Sequence, residues 1–141
     1  MQPTNDQAAI QLRDHLLNQG MWLDGTEVVQ RIYRTSAVHD DAESCTRQLR
    51  LTKKLFGVRR STAYLHPAFQ FDPTTGLLST AMERLLAVMP VSDANWSNAF
   101  WLFLPTGRLP GDARPADLFQ SDPESVILAA KLDFHGDVDA W

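Results

Sequence analysis

Four prolines govern what the second half of this chain can become. Pro90 and Pro105 each close an apolar stretch, while Pro115 and Pro123 stand where a helix can begin. The segments between them are therefore short helices. Leu78, Met82, Leu85, Leu86 and Met89 recur at helical spacing ahead of Pro90. Asp93 to Leu104 predicts a second helix, dense in Trp96, Phe100, Trp101 and Phe103. Thr106 to Arg114, with two glycines and Pro110, is a loop. Pro115 opens a short helix through Phe119. Ser121-Asp122-Pro123-Glu124 then combines a cap, a first-turn proline and a first-turn acid. The helix it starts carries Val126, Ile127, Ala130 and Phe134 and runs to Gly136.

The first half is punctuated differently. Residues 6–19 predict a helix with Ala9, Leu12 and Leu16 on one face and Gly20 as its stop. Leu23 to Ile32 opens on capping residues and spaces Val28 and Ile32 four apart, a second short helix. After a connection at Thr35 to Val38, Asp40, Asp41 and Glu43 suit the N-terminus of a third, whose later turns carry Arg47, Arg50, Lys53 and Lys54. Leu55 to Pro67 is richer in turn and β-branched residues and reads as a hairpin turning near Arg59 to Thr62. Helix, turn, helix and hairpin is the layout of a helix-turn-helix with a wing. A non-helical bridge from Pro67 to Gly76 follows, with Phe69 and Phe71 expected between the two parts. The expected fold is mainly α: a small winged helix-turn-helix-like unit with a short β-hairpin, residues 1–72, packed on an all-helical domain, residues 73–141.

Charge divides along the same boundary. The net charge is −4, yet residues 1–72 hold nine Lys/Arg against eight Asp/Glu, and residues 73–141 hold four against nine. The overall sign argues against non-specific nucleic-acid binding by the whole chain. It leaves open a local basic patch: Arg47, Arg50, Lys53, Lys54, Arg59 and Arg60 fall within residues 47–60, where there is no acid. On a recognition helix and wing these would contact DNA phosphates or guanine edges. The competing reading is a solvated face.

No apolar run approaches the length of about 18 residues that a transmembrane helix needs. Met1 to Asp6 carries neither the basic start nor the apolar stretch of a secretion signal. A single cysteine, Cys45, forms no internal disulfide, so the expected compartment is the cytoplasm. His15, His39, His66 and His135 are dispersed, no glycine-rich phosphate loop is present, and no cofactor or metal site is expected. Nothing in these patterns favours an enzyme.

The segment Trp101-Leu102-Phe103-Leu104-Pro105-Thr106-Gly107-Arg108-Leu109-Pro110-Gly111-Asp112-Ala113-Arg114-Pro115-Ala116-Asp117-Leu118-Phe119 resembles the Xre/MbcA/ParS-type antitoxin toxin-binding domain. That family has a tryptophan-bearing helix, a proline-containing loop, a Leu-x-Gly element and a proline opening a Leu-rich helix. Val126-Ile127 and His135-Gly136 fall where it has an apolar helix ending at glycine. Pro105-Thr106-Gly107 stands where the family often has Pro-Asn-Pro, and Pro110 replaces a more variable residue. Tyr64 to Asp72 is similar to the segment that closes an excisionase-like winged module upstream of this domain in some relatives.

The resemblance implies a cytosolic, non-enzymatic antitoxin that neutralises a cognate toxin protein, often of the RES type that uses or degrades NAD, by placing its C-terminal region in the toxin's active-site cleft. It also implies self-association and binding to operator DNA. On this reading the partner-binding residues are Arg108, Leu109, Gly111 and Arg114 of the loop, with Phe134, His135, Gly136, Asp137, Asp139 and Trp141 at the end of the last helix and beyond it. Asp137 and Asp139 would pair with the toxin's basic residues, and Trp141 would stack where a flat ring lies. The alternative is a DNA-binding transcriptional regulator with no toxin partner, in which the basic helix and wing are the main function.

Overall fold

Asp24 shows how directly some of these residues build their elements. Its carboxylate accepts the Glu27 amide at 2.8 Å while Glu27 reaches back to the Asp24 amide at 3.1 Å, a reciprocal cap that starts a helix at Gly25. The computed structural model describes residues 5–33, 42–90 and 94–136. Along the chain the elements are α1 (Asn5–Leu17), β1 (Trp22–Leu23), α2 (Gly25–Tyr33), α3 (Ala42–Leu51), β2 (Val58–Arg60), β3 (Ala63–Pro67), α4 (Thr80–Val88), α5 (Trp96–Phe103), α6 (Pro115–Leu118) and α7 (Pro123–His135). Single 3-10 turns lie at Ala68–Gln70 and Pro110–Asp112.

The fold is mainly helical with one small antiparallel sheet in the order β1-β3-β2. Val58, Arg59 and Arg60 pair with Leu65, Tyr64 and Ala63, and Trp22 and Leu23 pair with Pro67 and His66. Helices α2 and α3 are inserted between β1 and β2, so the first part has the chain order of a winged helix-turn-helix. Sequence reading missed β1. Two residues are too few to show an alternating pattern, and the strand exists because β3 offers it an edge.

Other expectations needed correction. Among the described side chains of α1 Leu16 alone is buried; Leu12 stands 57% exposed, so the proposed apolar face does not form. Gly20 lies beyond the last turn and does not take positive φ. α3 ends at Leu51, before Lys53 and Lys54. Lys53 adopts φ 59°, its amide donates to Arg50 O and the Lys54 amide donates to Leu49 O, which together close the helix end. Helix α5 begins at Trp96, after Ala94 and Asn95 take φ 60° and 65°. Leu78 precedes α4 and bridges Phe71. At the other end of the chain Asp122 caps α7 through the Ser125 amide and hydroxyl, and Gly136 follows it at φ 81°.

Two apolar clusters hold these elements. A small one, Leu23, Val28, Leu55 and Phe71, lies inside the winged part. The large one gathers α4, α5, α6 and α7 around Leu85, Leu102, Phe119 and Val126, and takes in Leu16, Phe56 and Val58 from the first part. Phe69 of the bridge packs edge-on against Phe103 and Phe119, with centroids 5.9 and 5.5 Å away. The joint between the parts is polar as well: Asn95 Nδ2 donates to Gly57 O, the Arg59 amide to Ala94 O and Trp96 Nε1 to Arg59 O. The start of α5 thus occupies the outer edge of β2.

Gln70 completes the joint. It is fully buried, and its amide group accepts from the Phe56 amide at 2.8 Å and donates to Phe56 O and Pro67 O at 2.9 and 3.0 Å. A side chain here does what a neighbouring strand would do. Gln70→Leu keeps the bulk but strands the Phe56 amide and carbonyl in an apolar interior, at a cost of about 2–4 kcal/mol. Chemical denaturation is expected to show that loss; a change under about 0.5 kcal/mol, the range of ordinary surface substitutions, would mean Phe56 finds water or another partner.

Candidate functional site

Helix α3 has two faces of unlike character. Ala42 and Thr46 are buried and Leu49 packs on the small cluster, all toward α2. Thr46 turns its hydroxyl back to Ala42 O at 3.0 Å, and Gly25 of α2 packs beside it: a Cβ there would lie 3.4 Å from the Thr46 hydroxyl oxygen. The opposite face presents Ser44, Arg47, Gln48 and Leu51, all exposed and at helical spacing. Leu51 is 72% exposed. Arg47 has no hydrogen-bond or ion-pair partner among the described residues. Arginine and glutamine are the side chains that reach guanine and adenine edges in a major groove.

Arg50, assigned to the same DNA-contacting set, is placed elsewhere. Its guanidinium lies 3.7 Å from the Tyr64 ring centroid, Nη2 pairs with Glu43 at 2.9 Å and Nη1 donates to His66 Nε2 at 2.9 Å. With 11% of its side chain exposed, it is a strut between α3 and β3. His66 passes the connection on, donating from Nδ1 to Leu23 O of β1 at 3.0 Å. A carbonyl only accepts and a guanidinium only donates, so the ring is neutral with its proton on Nδ1. Gly57 is required beside it: a Cβ there would meet His66 Cδ2 at 2.7 Å.

The remaining basic residues are exposed. Lys53 and Lys54 occupy the turn after α3, and Arg59 and Arg60 lie on β2 of the wing, where Arg60 pairs with Asp14 of α1 at 3.1 Å. Ser61, at φ 59°, makes the turn of the wing.

The residues expected to meet a protein partner divide as well. Leu109 is 4% exposed and packs into the large core. Arg114 is held by Asp117 at 2.7 and 3.0 Å and by Gln19, in the turn after α1, at 2.6 Å. Arg108 Nε donates to Asp133 at 2.9 Å, and the second oxygen of that carboxylate accepts Trp101 Nε1 at 2.7 Å. Phe134 packs on Trp101 at 5.3 Å, and His135 Nε2 donates to Val88 O at 2.7 Å. Gly111 is exposed at φ 65°. Asp137, Asp139 and Trp141 lie outside the described residues.

Among the described residues no helix is long and apolar enough to cross a membrane, and no group of three or more His, Cys, Asp or Glu is placed to hold a metal ion. No family model, curated protein or solved structure matches the chain.

The His66 connection has a pH signature. Burial, reinforced by the charge of Arg50 and opposed by the bond to Leu23 O, pushes its pKa down to about 4. An unfolded histidine titrates near 6.5, so below that pH the unfolded chain binds a proton that the folded chain refuses. The stability from neutral His66 is complete above about pH 6.5 and is lost as the pH falls toward 4, about 3 kcal/mol in all. Urea denaturation across this range should show that decline, and His66→Asn should be less stable at pH 7 and flatter below it. A wild-type decline that His66→Asn shares in full would assign the effect to other groups.

Proposed function

We propose that the chain is a non-enzymatic, antitoxin-like protein. Its helical part binds a cognate toxin and occludes the toxin's active site, and its winged part binds the DNA ahead of its own gene. The observation that carries this reading is the junction of Trp101, Arg108 and Asp133. The tryptophan helix, the proline-glycine loop and the last turn of α7 are the three parts in which the resemblance to the antitoxin toxin-binding domain lies. One carboxylate ties all three together, and Phe134 packs on the same tryptophan. The loop is thereby fixed beside the end of α7, so that Arg108 and Gly111 stand next to the last turn of that helix. RES-type toxins, which use or degrade NAD, are the partner class the resemblance favours. Rigid presentation of this kind reduces the conformational freedom that must be lost on binding.

The test is co-expression with the toxin reading frame next to the gene. The full chain is expected to relieve growth arrest. A chain ending at Gly136 is expected to melt within about 2–4 °C of wild type, as a change of under 1 kcal/mol would allow, and to lose the relief. Relief by the shortened chain would mean that residues 137–141 are not the plug, and no relief by the full chain would refute the antitoxin reading.

A second reading, a DNA-binding regulator without a toxin partner, is favoured by the outward face of α3. Under either reading Arg47→Ala should weaken binding to the upstream DNA by about 1–3 kcal/mol if Arg47 reads a base edge. Gel-shift titration measures this. Equal binding by Arg47→Ala and wild type would remove α3 as the reading helix.

A further inference from the structure

Arg13 lies far from the basic cluster in sequence, yet the fold brings it to the wing. Its guanidinium sits over the Trp96 ring, 5.2 Å from the centroid. A cleft of about 160 Å³ opens at this point, lined by Ile10, Arg13 and Asp14 of α1, Arg59, Arg60 and Ser61 of the wing, and Trp96 of α5. Among the described residues, three arginines and one carboxylate, Asp14, line this cleft, in a chain whose net charge is −4.

The arrangement selects for an anion and against a flat ring. One face of Trp96 is covered by Arg13, and its indole N–H already donates to Arg59 O at 2.9 Å. The ring therefore serves as a floor that holds Arg13 flat, through the attraction of a cation for an aromatic face. Stacking leaves the N–H edge of a guanidinium free, the edge that binds phosphate in a bidentate fork. No hydrogen bond or ion pair engages the Arg13 side chain among the described residues. Asp14 holds Arg60 at 3.1 Å, which orients that side chain while leaving most of its donors unused. The cleft has room for a tetrahedral anion and its substituents.

We propose that this cleft is a phosphate site and that, in the DNA complex, it holds a backbone phosphate beside the tip of the wing. The second clause rests on the DNA-binding part of the function proposed above. Helix α1 then contributes to DNA contact through Arg13. Phosphate contacts of this kind set the register of a protein on the duplex without reading sequence.

Two measurements test the site. The first is affinity for a mixed-sequence duplex by fluorescence anisotropy between about 50 and 200 mM salt. Arg13→Ala and Arg60→Ala are each expected to lower the log–log salt slope by about 1, with melting temperatures close to wild type. The second is the NMR signal of the Arg13 Nε–H group, expected to shift saturably with the duplex and with inorganic phosphate. If both variants keep the wild-type slope and the signal does not move, while Arg47→Ala weakens binding, the cleft is not a phosphate site and the DNA-binding reading stands. If wild type fails to bind the duplex, that reading falls and inorganic phosphate decides the site alone. A saturable shift then supports it with a free phosphate ester as the source, and no shift overturns it.

Discussion

The hydrogen bond from Arg50 to the neutral His66 ring joins three elements of the winged part. Arg50 belongs to α3, His66 to β3, and the far nitrogen of the ring donates to Leu23 O of β1. One helix and two strands are thus joined through one imidazole. The ring has no room to shift, since Gly57 packs on its carbon edge and Tyr64 lies under the guanidinium. Burial keeps the ring uncharged, and a charged ring would face the Arg50 cation across 2.9 Å. The rotation of α3 about its axis follows from this seat. With Arg50 turned inward, Arg47, Gln48 and Ser44 are turned outward.

The two parts of the chain meet through exposed strand edge and buried side chain together. β2 is an edge strand, and an uncovered edge invites another chain. Here the segment before α5 covers it, with Ala94 O accepting the Arg59 amide and Trp96 Nε1 reaching Arg59 O. Gln70 supplies the missing partner for Phe56 just before the strand. The large core then closes over Phe56 and Val58. Wing and helical part consequently share a floor: Trp96 supports Arg13 above and packs into the core of α4 to α7 below.

Much of the fold was legible because its signals are local. Proline positions set the ends of α4, α6 and α7, capping residues announced α2 and α7, and turn-rich, β-branched sequence marked the hairpin. What stayed hidden depends on distant residues. β1 exists through β3, and α1 buries Leu16 while leaving Leu12 in solvent because its neighbour is α5. Among candidate site residues, the exposed basic ones on α3 and the wing were recoverable from composition. The strut role of Arg50 was not, because an arginine in a basic run looks the same whether it faces water or a buried histidine 16 positions later. Leu109 misled in the opposite way: a leucine in a proline-glycine loop reads as exposed, and only the fold shows that it anchors the loop. Arg13 gave no signal at all, being a lone arginine beside Asp14 on a weakly patterned helix.

The central claim is that a neutral histidine, protonated on Nδ1 and accepting from Arg50 at Nε2, seats α3. Long-range proton–nitrogen NMR of the imidazole rings at pH 7 observes this state directly. The structure predicts a neutral His66 ring with hydrogen on Nδ1 and a bare, hydrogen-bonded Nε2, unchanged until the pH approaches 4. A ring protonated on Nε2, or an imidazolium at neutral pH, would contradict it, because Nη1 of Arg50 would then have no acceptor and α3 would lose its tie to β3.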